Sequence, residues 1–134
     1  MGKIFKGHGV GKGKAEGVAL VTRQMISNDY IGATDGIYRE NGHELDGKKV
    51  GGCVLVFPVG KGSSVVGHNS LLGAKLMGGA PAAMVFDRPV VIQIQSTILA
   101  EIPAVYGLVK SALDVIQNGD KIKVDADNGI VEIL

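Results

Sequence analysis

The residues of this chain best placed to do chemistry stand together in Gly60-Lys61-Gly62-Ser63-Ser64-Val65-Val66-Gly67-His68-Asn69-Ser70, directly after the apolar run Cys53-Val54-Leu55-Val56-Phe57. Glycines at 60 and 62 let the backbone take positive φ and approach a ligand, and Ser63 and Ser64 bring hydroxyls that donate, accept or cap a helix. A helix beginning near Asn69 would add amide N–H groups and a partial positive charge suited to a carboxylate or phosphate. The chemistry implied is the holding of a small anion. The loop does not fit the Walker phosphate pattern, since no glycine stands five residues before Gly60-Lys61 and glycine, not serine, follows Lys61. The same residues also suit a plain tight turn between strand and helix that ends in an N-cap, and the pattern alone leaves both readings open.

Other reactive side chains are sparse. Cys53 is the single cysteine, so no internal disulfide forms and no cysteine metal site is available; within the apolar run it is expected to be a buried, inert thiol. His8 and His43 sit in glycine- and turn-rich surroundings and are expected at the surface or in turns, not as ligands. Gly7-His8-Gly9-Val10-Gly11-Lys12-Gly13-Lys14 has the glycines of a phosphate loop, but no strong strand precedes it and no helical pattern follows.

The elements that must position the loop belong to a chain of 134 residues, 46% hydrophobic, enough for one domain spanning residues 1–134 with its own core. A net charge of +1 and an aromatic content of 4% supply neither a basic field nor stacking platforms, which argues against a nucleic-acid partner. No apolar run reaches membrane-spanning length, and Met1-Gly2-Lys3-Ile4-Phe5-Lys6 lacks the apolar segment of a signal peptide. A cytoplasmic protein without membrane contact is expected.

Along the chain, Ala15–Val21 reads as an early strand. Residues 22–49 form a polar, turn-rich excursion of the kind that covers a site or a partner surface. Val50–Phe57 suits a strand buried on both faces. Leu71, Leu72, Leu76 and Met77 predict an amphipathic helix stopped by Gly78-Gly79. Ala82–Phe86, Val90–Ile94 and Ile102–Val105 read as strands, the last tolerating Pro103 at an end or edge. The spacing of Leu108, Val109, Ala112, Leu113, Val115 and Ile116 predicts a helix closed by Asn118-Gly119, and Lys121–Asp125 and Ile130–Ile133 flank the hairpin turn Asp127-Asn128-Gly129. The alternation of strands and helices defines an α/β domain with a mixed sheet.

Taken in order, Ala15-Glu16-Gly17-Val18-Ala19-Leu20-Val21, Gly32, Asp35-Gly36, His43-Glu44-Leu45-Asp46-Gly47, Val54-Leu55-Val56-Phe57-Pro58, Gly60-Lys61-Gly62-Ser63-Ser64, Ala80-Pro81-Ala82-Ala83 and Ala100-Glu101-Ile102-Pro103 resemble the small, swivelling subunit of the aconitase X dehydratases over nearly the whole chain. That resemblance implies a swivelling β/β/α barrel docked on a large subunit, with iron or an iron–sulfur cluster in the large subunit and none bound by this chain. It implies dehydration of a small anionic hydroxy acid, (R)-5-phosphomevalonate or cis-3-hydroxy-L-proline. By analogy with the swivelling domain of aconitase, Ser63 is the catalytic base, with Lys61, Gly62, Ser64 and His68 binding substrate. Two positions depart from the family pattern: His68 replaces the serine of a second glycine-serine pair, which stands one residue later, and Glu44 replaces proline after His43.

Two other readings share the fold. Ile102-Pro103-Ala104-Val105-Tyr106-Gly107, Gly119-Asp120-Lys121-Ile122-Lys123-Val124-Asp125 and Gly129-Ile130-Val131 also resemble phosphohistidine swivel domains, in which His68 would carry a phosphoryl group, although the Gly-Ser/Thr-X-His setting is missing. A non-catalytic binding module would use the fold alone.

Overall fold

The structure, a computed structural model, describes residues 2–61 and 67–134. Four segments form its centre: β3 (Lys14–Val21), β5 (Val54–Phe57), β7 (Ala83–Phe86) and β8 (Ala104–Tyr106), each parallel to the next. Antiparallel strands extend this unit on both sides. β9 (Lys121–Asp125) and β10 (Ile130–Ile133) follow β3, then β1 (Lys3–Lys6), while β2 (His8–Val10) lies on β8. The order is β1-β10-β9-β3-β5-β7-β8-β2, so the two outermost strands are consecutive in sequence, separated only by Gly7. A second, two-stranded parallel sheet pairs β4 (Ile26–Ser27) with β6 (Gly60–Lys61).

Alternation along the central strands divides the core. Val54 and Val56 of β5 and Ala83 and Val85 of β7 face one cluster with Ile122, Val124 and Val131, whereas Leu55, Phe57, Met84 and Phe86 face another with Tyr38, Leu71 and Ala74. Burial on both faces is what a near-continuous apolar run requires of a parallel strand. Phe57, Phe86 and Tyr106 occupy matched register positions and stack in succession, with ring centroids 5.4 and 5.8 Å apart. His8 continues the row onto β2, 5.1 Å from Tyr106. Each aromatic pair adds about 0.5–1.5 kcal/mol beyond its burial, so this ladder braces the ends of the parallel strands from which the site-bearing loops leave.

Helix α1 (Gly67–Met77) follows the glycine-serine segment and ends where Gly78 turns to φ +92°, as the apolar spacing and paired glycines predict. Val90–Ile94 is not a strand: helix α2 runs from Val91 to Leu99. Its β-branched residues disguise an inverted pattern. Gln93, Ser96 and Thr97 are buried while Val91, Ile98 and Leu99 are exposed. The buried hydroxyls are satisfied within the helix, Ser96 donating to the Ile92 carbonyl at 2.7 Å and Thr97 to that of Ile94 at 2.9 Å.

Other boundaries also move. The helix expected over 108–116 contracts to α3 (Ala112–Val115), capped by Ser111, whose hydroxyl accepts the Leu113 N–H and donates to Asp87 at 2.5 Å. Val50 is buried in a turn before β5, and Cys53 lies in that turn, partly exposed, not inside the strand. Burial pushes its thiol up, against the opposing charge of Lys49. The N-terminal glycine-rich stretch does follow a strand, β1, and itself contains β2. The excursion 22–49 holds β4, a 3₁₀ turn at Asn28–Tyr30 and isolated bridges joining Ile31 to Tyr38 and Ile37 to Lys49.

Candidate functional site

The site lies where β3 and β5 release their chains, at the carboxyl ends of parallel strands, the favoured place for ligands in open α/β sheets. Beyond β3 the Thr22 N–H donates to the Val56 carbonyl, and the Ile26 N–H to that of Val59, which steers the chain into β4 alongside β6. Ser27 is thereby set opposite Lys61. Gly60 does not take positive φ; its missing side chain makes room for Gln93 of α2, which packs over the start of β6.

Lys61 extends into a cleft of about 390 Å³ between residues 23–25 and the turn 40–43. Its ammonium pairs with the Glu40 carboxylate through Oε2. The other oxygen, Oε1, accepts from the Tyr38 hydroxyl at 2.7 Å, and that hydroxyl accepts the Ser27 N–H at 3.0 Å. Tyr38 is fully buried, its ring 5.0 Å from His43 and edge-on to Tyr30 at 6.2 Å. Burial pushes its phenol far above the ordinary range, and the neighbouring Glu40 pushes it further. Burial also raises Glu40, but the Lys61 ammonium and Tyr38 hydroxyl outweigh it and hold the carboxyl below its ordinary value.

His43 is in a turn, as expected, but buried. Its Nε2 faces the Met25 carbonyl at 3.0 Å and must donate, while Nδ1 accepts the Leu45 N–H at 3.0 Å, which assigns the Nε2–H tautomer. Glu44 finds use where a proline could not. Its carboxylate accepts from the Thr22 hydroxyl and the Arg23 N–H, and its own N–H donates to Gln24, so the turn is tied to the segment after β3. The Thr22 hydroxyl chiefly lowers Glu44, with partial burial opposing and the Arg23 N–H reinforcing it.

Of the five residues singled out in the sequence, Lys61 is at this cleft. Gly62, Ser63 and Ser64 lie outside the described residues, and His68 falls on the first turn of α1. Tyr38 and Glu40 were not legible as site residues: they sit in the polar excursion, and only the β4–β6 pairing brings them to Lys61. Another residue without a sequence signal is Asn28, buried to 4% exposure just after β4, whose Oδ1 has no hydrogen-bond partner among the described residues. Beside it, Asp29 accepts from Ser70 of α1 at 2.9 Å. Among the described residues, no group of three or more His, Cys, Asp and Glu side chains is placed to hold a metal ion. No helix among them is long and apolar enough to cross a membrane.

Fold and cleft define a mixed α/β domain with a lysine-bearing cleft at the carboxyl ends of its parallel strands. Residues 4–133 match the aconitase X swivel domain, and the chain belongs to that family. The phosphomevalonate dehydratase small subunit of Methanocella arvoryzae is 40% identical over 132 residues, covering 96% of this chain and 98% of the relative. That of Methanosarcina mazei is 38% identical over 133 residues, covering 97% and 90%. Among solved structures, the crystal structure of Thermococcus kodakaraensis aconitase X in its holo form superposes with a TM-score of 0.90 at 34% identity, covering 98% of each chain.

Proposed function

We propose that this chain is the small subunit of an aconitase-X-type hydro-lyase that removes water from (R)-5-phosphomevalonate, working in the cytoplasm with a large subunit. The observation that carries this reading is the near full-length similarity, at 40% identity, to a protein named as a phosphomevalonate dehydratase small subunit. The cleft chemistry agrees, since a lysine at the carboxyl ends of parallel strands suits a phosphate or carboxylate. Residues 1–134 act as one swivelling β/β/α barrel, a reading supported by the adjacency in sequence, across Gly7, of the two outermost strands.

Ser63, as its alkoxide, takes a proton from the carbon beside the carboxylate, the C–H electron pair becomes the new C=C bond, hydroxide leaves the neighbouring carbon with the C–O pair, and the proton on Ser63 passes to it to give water and restore the alkoxide. A serine is a weak base, so its alkoxide needs positioned donors and a nearby cation, roles this reading assigns to Gly62, the start of α1 and Lys61. Ser64 and His68 complete substrate binding. Iron or an iron–sulfur cluster held by the large subunit would supply Lewis acidity, and no residue of this chain is assigned to hold it. Closure of the swivelling domain excludes water.

The test is co-purification with the large subunit and assay of dehydration on both acids. Turnover of (R)-5-phosphomevalonate is expected; turnover of cis-3-hydroxy-L-proline alone would transfer the assignment to that substrate. The isolated chain is expected to be inactive and, after desalting, to retain no iron by elemental analysis, because Cys53 is its single thiol. Stoichiometric iron in the chain alone overturns the division of labour.

A further inference from the structure

We propose that Glu40, itself fixed by Tyr38, is a positioning residue that holds the Lys61 ammonium at the cleft as the anchor for the anionic group of the substrate. This inference rests on the reading of Lys61 as a substrate-binding residue.

A lysine head is a point charge on four rotatable bonds, so its usefulness to a substrate depends on what sets its direction. Here the direction comes from a closed circuit. Lys61 pairs with Glu40; the second oxygen of Glu40 takes the only proton of the Tyr38 hydroxyl; that hydroxyl accepts the N–H of Ser27; and Ser27 stands opposite Lys61 in the β4–β6 ladder. Both ends of the circuit are therefore backbone atoms of one two-stranded sheet. Tyr38 cannot swing away, being fully buried between Tyr30 and His43.

A structural ion pair would hide its cation, and this one does not. The Lys61 side chain keeps 34% of its surface exposed against 18% for Glu40. Among the described residues Glu40 is its one partner, which leaves two of three ammonium donors for a ligand. The charged and titratable groups facing the cleft are Arg23, Glu40, His43 and Lys61. Among the described residues the Arg23 guanidinium is engaged by Asp114 at 3.4 Å and by the Leu113 carbonyl at 3.5 Å, across the exposed surface. Arg23 and Lys61 each face a carboxylate, Asp114 and Glu40 respectively, so the pull on an anion comes from the exposed ammonium of Lys61 and not from a net positive field.

The experiment uses the reconstituted two-subunit enzyme with (R)-5-phosphomevalonate and the variants Glu40→Gln, Tyr38→Phe and Lys61→Ala, singly and combined. Glu40→Gln is expected to raise KM about tenfold with kcat within about twofold, the pattern of lost uniform binding. Tyr38→Phe is expected to move KM the same way by less. Glu40→Gln placed on Lys61→Ala is expected to add nothing, because it acts through the lysine. An independent readout is NMR titration of the Glu40 carboxyl in the full chain, where Lys61→Ala is expected to shift the midpoint upward.

An unshifted midpoint, an additive effect in the Lys61→Ala background, or a lower KM in Glu40→Gln overturns the inference. If Lys61→Ala raises KM while Glu40→Gln leaves it unchanged, this inference alone fails. If Lys61→Ala leaves KM unchanged, the substrate-binding role of Lys61 fails and this inference with it.

Discussion

Replacing Ser63 by alanine in the reconstituted two-subunit enzyme is expected to lower turnover at least about a hundredfold, the lower range for loss of a positioned acid–base group. The hydroxyl would act on the transferred proton, so its loss belongs to the transition state and should lower kcat with little change in KM. Fold and subunit assembly should survive. In its alternative role as a helix cap the same hydroxyl contributes about 1 kcal/mol of stability and nothing to kcat, and the thermal midpoint separates the two roles. Ser64→Ala is the paired control, expected to weaken substrate binding more than turnover. Near-native turnover in Ser63→Ala together with loss of turnover in His68→Ala would move the base to the histidine.

The sequence made the central strands legible because their burial is two-sided: Val54–Phe57 and Ala83–Phe86 are short unbroken apolar runs, and few other structures use such runs. Helix α1 was legible through its closing glycines and the buried Leu71, although Leu76 and Met77 of the expected apolar stripe are exposed. Helix α2 was not, since it buries Gln93, Ser96 and Thr97 and exposes Val91 and Ile98, the reverse of what hydropathy implies. Strands β1 and β2 are hidden for another reason. They are short, largely exposed and glycine-interrupted, and they owe their pairing to β10 and β8, more than ninety residues away in sequence. The same distinction applies to the site. Lys61 and its glycines announce themselves locally, whereas Glu40 and Tyr38 matter only through the β4–β6 pairing, a contact that no local pattern encodes.

The same dependence on long-range contacts leads to the second large effect, expected for Gly9→Ala. Gly9 lies in β2 opposite Val105 of β8, with its α-carbon turned toward the Ala126 carbonyl at the end of the β9–β10 hairpin. A Cβ there would overlap that carbonyl oxygen, and neither side can yield cheaply. The hairpin end is pinned by the Ala126 N–H donating to Gly13 at 2.9 Å and by the Gly7 N–H donating to Gly129 at 2.8 Å, while β2 is held in register on β8. The cost should reach roughly 3 kcal/mol, the upper range for overpacking, because the clash is with backbone and not with a side chain that can change rotamer. Calorimetry should show a fall in Tm of about 10 °C for a domain of this size. Gly73→Ala is the control: that glycine sits within α1 with open space around the added methyl, so the substitution should be neutral or stabilise by up to about 1 kcal/mol. An unchanged Tm in Gly9→Ala would mean that the hairpin does not rest on β2, and the joining of the two ends of the strand order through Gly7 would lose its support.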